Sequence, residues 1–141
     1  MAPLRRFVVI STHRGKRAVP LLWVCDLLQG ATPEPLPKGQ GRLGGSLSLG
    51  RERFTVIGAT APRSRTRAGD YLLFRFPDGD GLVSVALAVR EVECVVATDA
   101  YDGECLRLSG GEVALMDPTR WLKADEWAAV RLLSGHALKV A

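Results

Sequence analysis

The chain has 141 residues, 47% of them hydrophobic, and a formal net charge of +4 at pH 7. That length fits a single domain over residues 1–141, large enough to bury roughly two-thirds of the surface its unfolded chain exposes, so its core needs neither disulfides nor a structural metal. No apolar run approaches the ~20 residues of a membrane-spanning helix, and the short run behind Arg5 and Arg6 feeds a strand pattern and not a signal peptide, so a cytoplasmic protein without direct membrane insertion is expected.

Phe7 to Ile10 is the first apolar run and ends at a turn, H-R-G-K. Ala18 to Leu28 reads as a second, longer strand bent near Pro20, because proline removes a ladder donor and belongs at an edge or bulge. After a proline- and glycine-rich stretch, S-L-S-L-G-R-E-R-F-T-V-I alternates like a strand, with Arg53 to Thr60 as the third element. A basic loop, A-P-R-S-R-T-R-A-G-D, precedes a strand from Tyr71 to Phe76, whose alternation sets Tyr71 and Leu73 against Leu72 and Phe74 on the opposite face. Pro77 to Gly81 is a hairpin turn. Leu82 to Val96 follows as one long strand or two joined by a bulge, then a turn at Asp99 to Gly103. Cys105 to Leu108 and Glu112 to Met116 are short strands around Ser109-Gly110-Gly111. Asp117 or Thr119 caps a helical turn through Leu122. Asp125 to Ser134 is the one longer helix, with Trp127, Val130 and Leu133, and Ala128 beside them, near one face and Gly135 as its stop. Short strands with regular turn signals point to a barrel or sandwich. The sequence shows no internal repeat.

Charge is unevenly placed. Residues 1–70 hold 12 Lys and Arg against 4 Asp and Glu, and residues 71–141 hold 7 against 11, so a half at +8 meets one at −4. Such polarity suits a partner of complementary pattern and permits weak nucleic-acid binding. Arg51, Arg53, Arg63, Arg65 and Arg67 are the strongest case for a binding surface, since arginine forks onto carboxylates and phosphates. For the 63–67 set, a solvated loop is the simpler reading. No aromatics interleave with them, so no nucleic-acid partner is expected.

Several chemistries lack their context. Gly39, Gly41 and Gly44 spell G-x-G-x-x-G, but Pro33, Pro35 and Pro37 precede them in place of a strand, and a strand pattern follows in place of a helix. Asp78 and Asp80 resemble the start of a calcium loop, which fails at Leu82 and at Val89, where a bidentate Glu is required. Cys25, Cys94 and Cys105 are odd in number without C-x-x-C spacing, fitting reduced, mostly buried thiols. Neither His13, in a polar turn, nor His136, beyond the helix, has a neighbouring ligand at metal spacing. No G-x-S-x-G elbow is present. The expectation is a protein without catalysis, cofactor or metal.

In order and spacing, several segments resemble the CheW-like coupling domain of bacterial chemosensory systems. F-V-V-I, Gly15 and A-V-P-L-L-W-V-C-D match its opening, with Val24 and Asp26 in place. Pro37 and Gly45 keep its Pro-to-Gly separation, S-L-S-L follows, and Thr55-Val56-Ile57-Gly58 occupy its Pro-Val-Ile-Asp strand. Gly81-Leu82 and Val89-Arg90-Glu91-Val92 match a later strand, and E-V-A-L-M-D-P-T-R-W-L looks like the terminal segment. The family's Leu-Arg-Gly appears as Leu49-Gly50-Arg51, its aspartate after Val-Ile as Gly58, and its later Val-Asp as Ala86-Leu87. The segment between Val92 and Glu112 is shorter than usual.

The resemblance, over about residues 7–122, implies a mainly β fold of two SH3-like five-stranded barrels sharing an apolar core, with a short C-terminal helix. It implies a non-enzymatic scaffold linking a chemoreceptor's cytoplasmic tip to the regulatory domain of a CheA-like histidine kinase. By the same resemblance Val24, Gly45, Leu47, Leu49, Gly50, Arg51, Arg53 and Val89 are the partner-binding candidates, ordinary core being the competing reading for the apolar ones. The departures leave one alternative, a member that has lost kinase coupling and serves another output such as motility control, and the +8 half leaves a second, a basic β-barrel that binds nucleic acid.

Overall fold

The computed structural model describes residues 2–34, 44–57 and 69–139, with the side chains of 135–139 left aside. Gly39, Gly41, Pro37, Gly58, the arginines 63, 65 and 67, and the side chain of His136 lie outside the described residues.

Among the described residues, ten strands form two curled five-stranded sheets. The chain begins with β1 (Arg5–Thr12) and β2 (Gly15–Pro20), crosses by a 3-10 turn (Leu21–Trp23), and builds β3 (Val24–Ala31), β4 (Ser46–Leu49), β5 (Glu52–Ile57), β6 (Gly69–Asp78) and β7 (Gly81–Val89). It then returns with β8 (Glu91–Thr98), β9 (Cys105–Leu108) and β10 (Gly111–Leu115), a helical turn α1 (Pro118–Trp121) and the helix α2 (Ala124–Lys139). The order is β3-β6-β7-β5-β4 in one sheet and β8-β1-β2-β10-β9 in the other.

The sheets share one pairing pattern. Reading across each in that order, the neighbours are antiparallel, antiparallel, parallel and antiparallel. An isolated bridge then joins the two edge regions of each sheet, Glu34 to Ser46 in the first barrel and Tyr101 to Leu106 in the second. The strands β8, β9, β10, β1 and β2 thus correspond to β3 through β7, with the chain entering the second barrel midway. This repeat of topology leaves no trace as a repeat of sequence, because a barrel constrains alternation and turns but not residue identity.

Three apolar layers follow. The first barrel encloses Leu47, Phe54, Val56, Tyr71, Leu73 and Ala86. The second encloses Phe7, Val9, Ala18, Leu106 and Val113. Between them, Val8, Ile10 and Val19 meet Leu72, Phe74, Val85 and Leu87, with Trp127 and Val130 of α2 packed in. The alternation in β6 takes its meaning here: Tyr71 and Leu73 face the barrel interior while Leu72 and Phe74 face the shared core.

Four expectations are corrected. The stretch from Ala18 to Leu28 is two strands in different sheets, since Pro20 ends β2 and the 3-10 turn hands the chain over. The helix runs through Gly135 to Lys139. One glycine costs a helix only about 1 kcal/mol against alanine, and Ala-Leu-Lys downstream favours continuation. Its buried stripe is Trp127, Val130 and Ser134, while Ala128 is exposed. Ser134 is tolerated there because its hydroxyl accepts the Ser84 N–H at 3.1 Å. Cys94 is exposed on edge strand β8, and Cys25 and Cys105 are half-buried.

Candidate protein-interaction surface

The 3-10 turn between the barrels carries three consecutive large apolar residues, Leu21, Leu22 and Trp23, which cannot all face inward. Trp23 packs edge-on against Phe76, their centroids 5.0 Å apart, and Phe76 packs in turn against Trp127 at 6.0 Å. With the turn anchored on that side, Leu22 is left 91% exposed. Beside it opens a cleft of about 490 Å³ lined by Leu4, Pro20, Leu21, Leu22 and Trp23, with Arg5 and Arg6 at its edge. Leu4 is itself 72% exposed. An exposed apolar surface beside such a cleft, edged by arginines, is a candidate for contact with a partner.

Val24 follows directly, half-buried at the start of edge strand β3 and paired with Phe74. The β4–β5 turn lies at the same end of the first barrel, tied there by a polar network. Arg75 Nε donates to Glu52 Oε2 at 2.9 Å, its Nη2 engages Glu52 Oε1, and its Nη1 lies 3.1 Å from Cys25 Sγ. Ser84 Oγ donates to Glu52 Oε2 at 2.6 Å. One guanidinium therefore links β5, which leaves the turn, to β3 one residue past Val24. Hydrogen bonding from Arg75 holds the Glu52 carboxyl below its ordinary pKa, with Ser84 adding to it against the effect of burial. Burial pushes the Cys25 thiol up despite the nearby guanidinium.

The residues singled out in the sequence divide by environment. Leu49 is half-buried, and Gly50, Arg51 and Arg53 are exposed on the β4–β5 hairpin. Leu47, 6% exposed, points into the first barrel, and Val89, 9% exposed, belongs to the shared core. Gly45 is buried with φ +112°, and a Cβ there would stand 2.5 Å from the Glu34 carbonyl oxygen. Its close backbone approach is to its own chain, at the bridge that joins the barrel edges. Leu22 and Leu4 were not singled out in the sequence, although P-L-L-W offered the signal.

In fold the chain is similar to the crystal structure of the scaffolding protein TtCheW from Thermoanaerobacter tengcongensis. The TM-score is 0.58 and the identity 11%, over 83% of this chain and 90% of that one. No protein-family model matches the sequence, and no curated protein matches it. The fold is CheW-like, carried by a sequence far diverged from that neighbour.

Proposed function

We propose that this protein is a non-enzymatic adaptor of a chemosensory signalling assembly, binding a helical segment of a chemoreceptor's cytoplasmic tip and the regulatory domain of a CheA-like kinase. The observation that supports it is the likeness to a scaffolding protein across most of both chains. Among the described residues no cluster of metal-binding side chains occurs, and no helix is long and apolar enough to cross a membrane. A cytoplasmic location accords with this reading.

Recognition is the whole mechanism. Leu22, Leu4 and the exposed edge of Val24 present an apolar strip next to a cleft, which suits the apolar face of an amphipathic helix. Arg51 and Arg53, at the same end of the barrel, supply charged contacts to carboxylates on that helix or on the kinase domain. An Arg51→Glu substitution tests the assignment: affinity for a receptor cytoplasmic fragment should fall several-fold and more steeply at low salt. Unchanged binding removes Arg51 from the interface.

A further inference from the structure

We propose that the β1–β2 turn together with Trp121 forms a separate binding site for a carboxylate-rich segment of a protein partner. The Arg14 guanidinium carbon lies 4.3 Å from the centre of the Trp121 ring and that of Arg17 at 5.7 Å. His13 packs edge-on against the same ring at 5.8 Å. Arg90, between β7 and β8, is held close by its backbone N–H, which donates to the Ser11 carbonyl at 2.7 Å.

Among the described residues none of Arg14, Arg17 and Arg90 has a carboxylate within 4.0 Å, whereas Arg75 and Arg131 each have one and Arg107 and Arg120 each have two. The neighbouring Glu93 is occupied by Ser11 Oγ at 2.5 Å and Lys16 Nζ at 3.1 Å. His13 is held below its ordinary pKa by burial and then by the positive charges of Arg14, Arg90 and Arg17. Gathering like charges costs energy that a bound anion recovers. An arginine over an indole keeps its N–H donors available for carboxylates while the ring fixes its place.

The form of the cluster favours an acidic protein segment over a nucleic-acid strand. It is compact, not a track along a groove, and the Trp121 ring is engaged by arginines instead of lying open to stack a base. The site stands at the opposite end of β2 from the 3-10 turn. Six strand residues separate them, about 20 Å at roughly 3.3 Å per residue. Two partners could therefore be held at once, but anion binding here does not rest on the helix-docking reading.

The test is the fluorescence anisotropy of a short fluorescein-labelled Glu/Asp peptide titrated with the full chain at low and at physiological salt. Arg14→Glu with Arg17→Glu should weaken binding at least about tenfold, as two attractive contacts become repulsive. Arg5→Glu with Arg6→Glu makes the same charge change four and five residues along β1 from Ile10, the register partner of Arg17, about 13 Å or more away; at physiological salt, where the Debye length is about 8 Å, it should weaken binding by less than about threefold. Arg90→Glu, which disturbs no ring contact, should also weaken it, so the prediction survives any misfolding of the first pair. Equal losses in the two double variants, or no binding by the wild type, overturn the proposal. So does tighter binding of an oligothymidylate of equal charge that the same variants abolish, which would make the surface one for nucleic acid.

Discussion

Arg75 reaches across β7 to grip Glu52 on β5 in a two-pronged ion pair, while Ser84, directly beneath, donates to the same carboxylate. The pair fixes the end of the first barrel where the β4–β5 turn and the start of β3 meet. Because these bonds hold the Glu52 pKa below its ordinary value, their stabilisation is present above the unfolded-state pKa, about 4.3, and is lost as pH falls through the lower folded-state value. Thermal melts from pH 7 down to pH 3 should show Glu52→Gln less stable by about 1 kcal/mol near neutrality, discounted for partial exposure. The gap should narrow towards the acid end. A constant gap across that range would mean the carboxylate's charge is not what stabilises this end.

The two glycines that flank opposite ends of β4 should respond differently. Gly45 has positive φ and no room for a Cβ, while Gly50, at φ +62°, has open space around it. Urea denaturation should show Gly45→Ala destabilising by at least about 2 kcal/mol, since a strained conformation and a steric clash combine. Gly50→Ala should cost about 1 kcal/mol, the left-handed penalty alone. Equal effects would contradict the closure of the barrel by the Glu34–Ser46 bridge.

Opposite signs are expected for two buried hydroxyls. Ser134 satisfies the Ser84 N–H, so Ser134→Ala should cost about 1–3 kcal/mol by stranding that donor. Thr55, 1% exposed, has a hydroxyl with no hydrogen-bond partner among the described residues. Thr55→Val should therefore stabilise by about 1 kcal/mol. Chemical denaturation of both variants checks this, and destabilisation by Thr55→Val would show that the hydroxyl is satisfied in solution.

Much of the fold could be read from the sequence because alternation and turn chemistry are local. The two-faced pattern of Tyr71 to Phe74, the hairpin at Pro77 to Gly81 and the Asp117 cap, whose carboxylate accepts the Thr119 N–H at 3.0 Å, depend on neighbours a few residues away. What alternation could not reveal is which sheet a strand joins. Val19 and Leu27 look alike in sequence, but β2 and β3 lie in different sheets. The candidate surface suffered from the same ambiguity. In a sheet with both faces covered, an apolar residue has the same appearance whether it faces core or partner, so only the structure shows that Leu47 and Leu49 both pack on the first-barrel cluster, Leu49 the less completely. Leu22 escaped notice because P-L-L-W reads as strand, whereas the 3-10 turn rotates one of its side chains into solvent.

The central claim is that the strip around Leu22 docks a receptor helix. At 91% exposure, Leu22→Asp should change stability by no more than about 0.5 kcal/mol, so any loss of binding can be assigned to the surface itself. The most direct measurement is a calorimetric titration of a chemoreceptor cytoplasmic fragment, and separately of a CheA-like regulatory domain, into the wild type and Leu22→Asp at two salt concentrations. The account predicts saturable wild-type binding to both, with receptor affinity falling at least about tenfold in the variant while its melting temperature is unchanged, as expected when an apolar anchor that becomes buried only on binding is replaced by a charge. Wild-type protein that binds neither partner, or a variant that binds the receptor fragment as tightly as wild type, would contradict it.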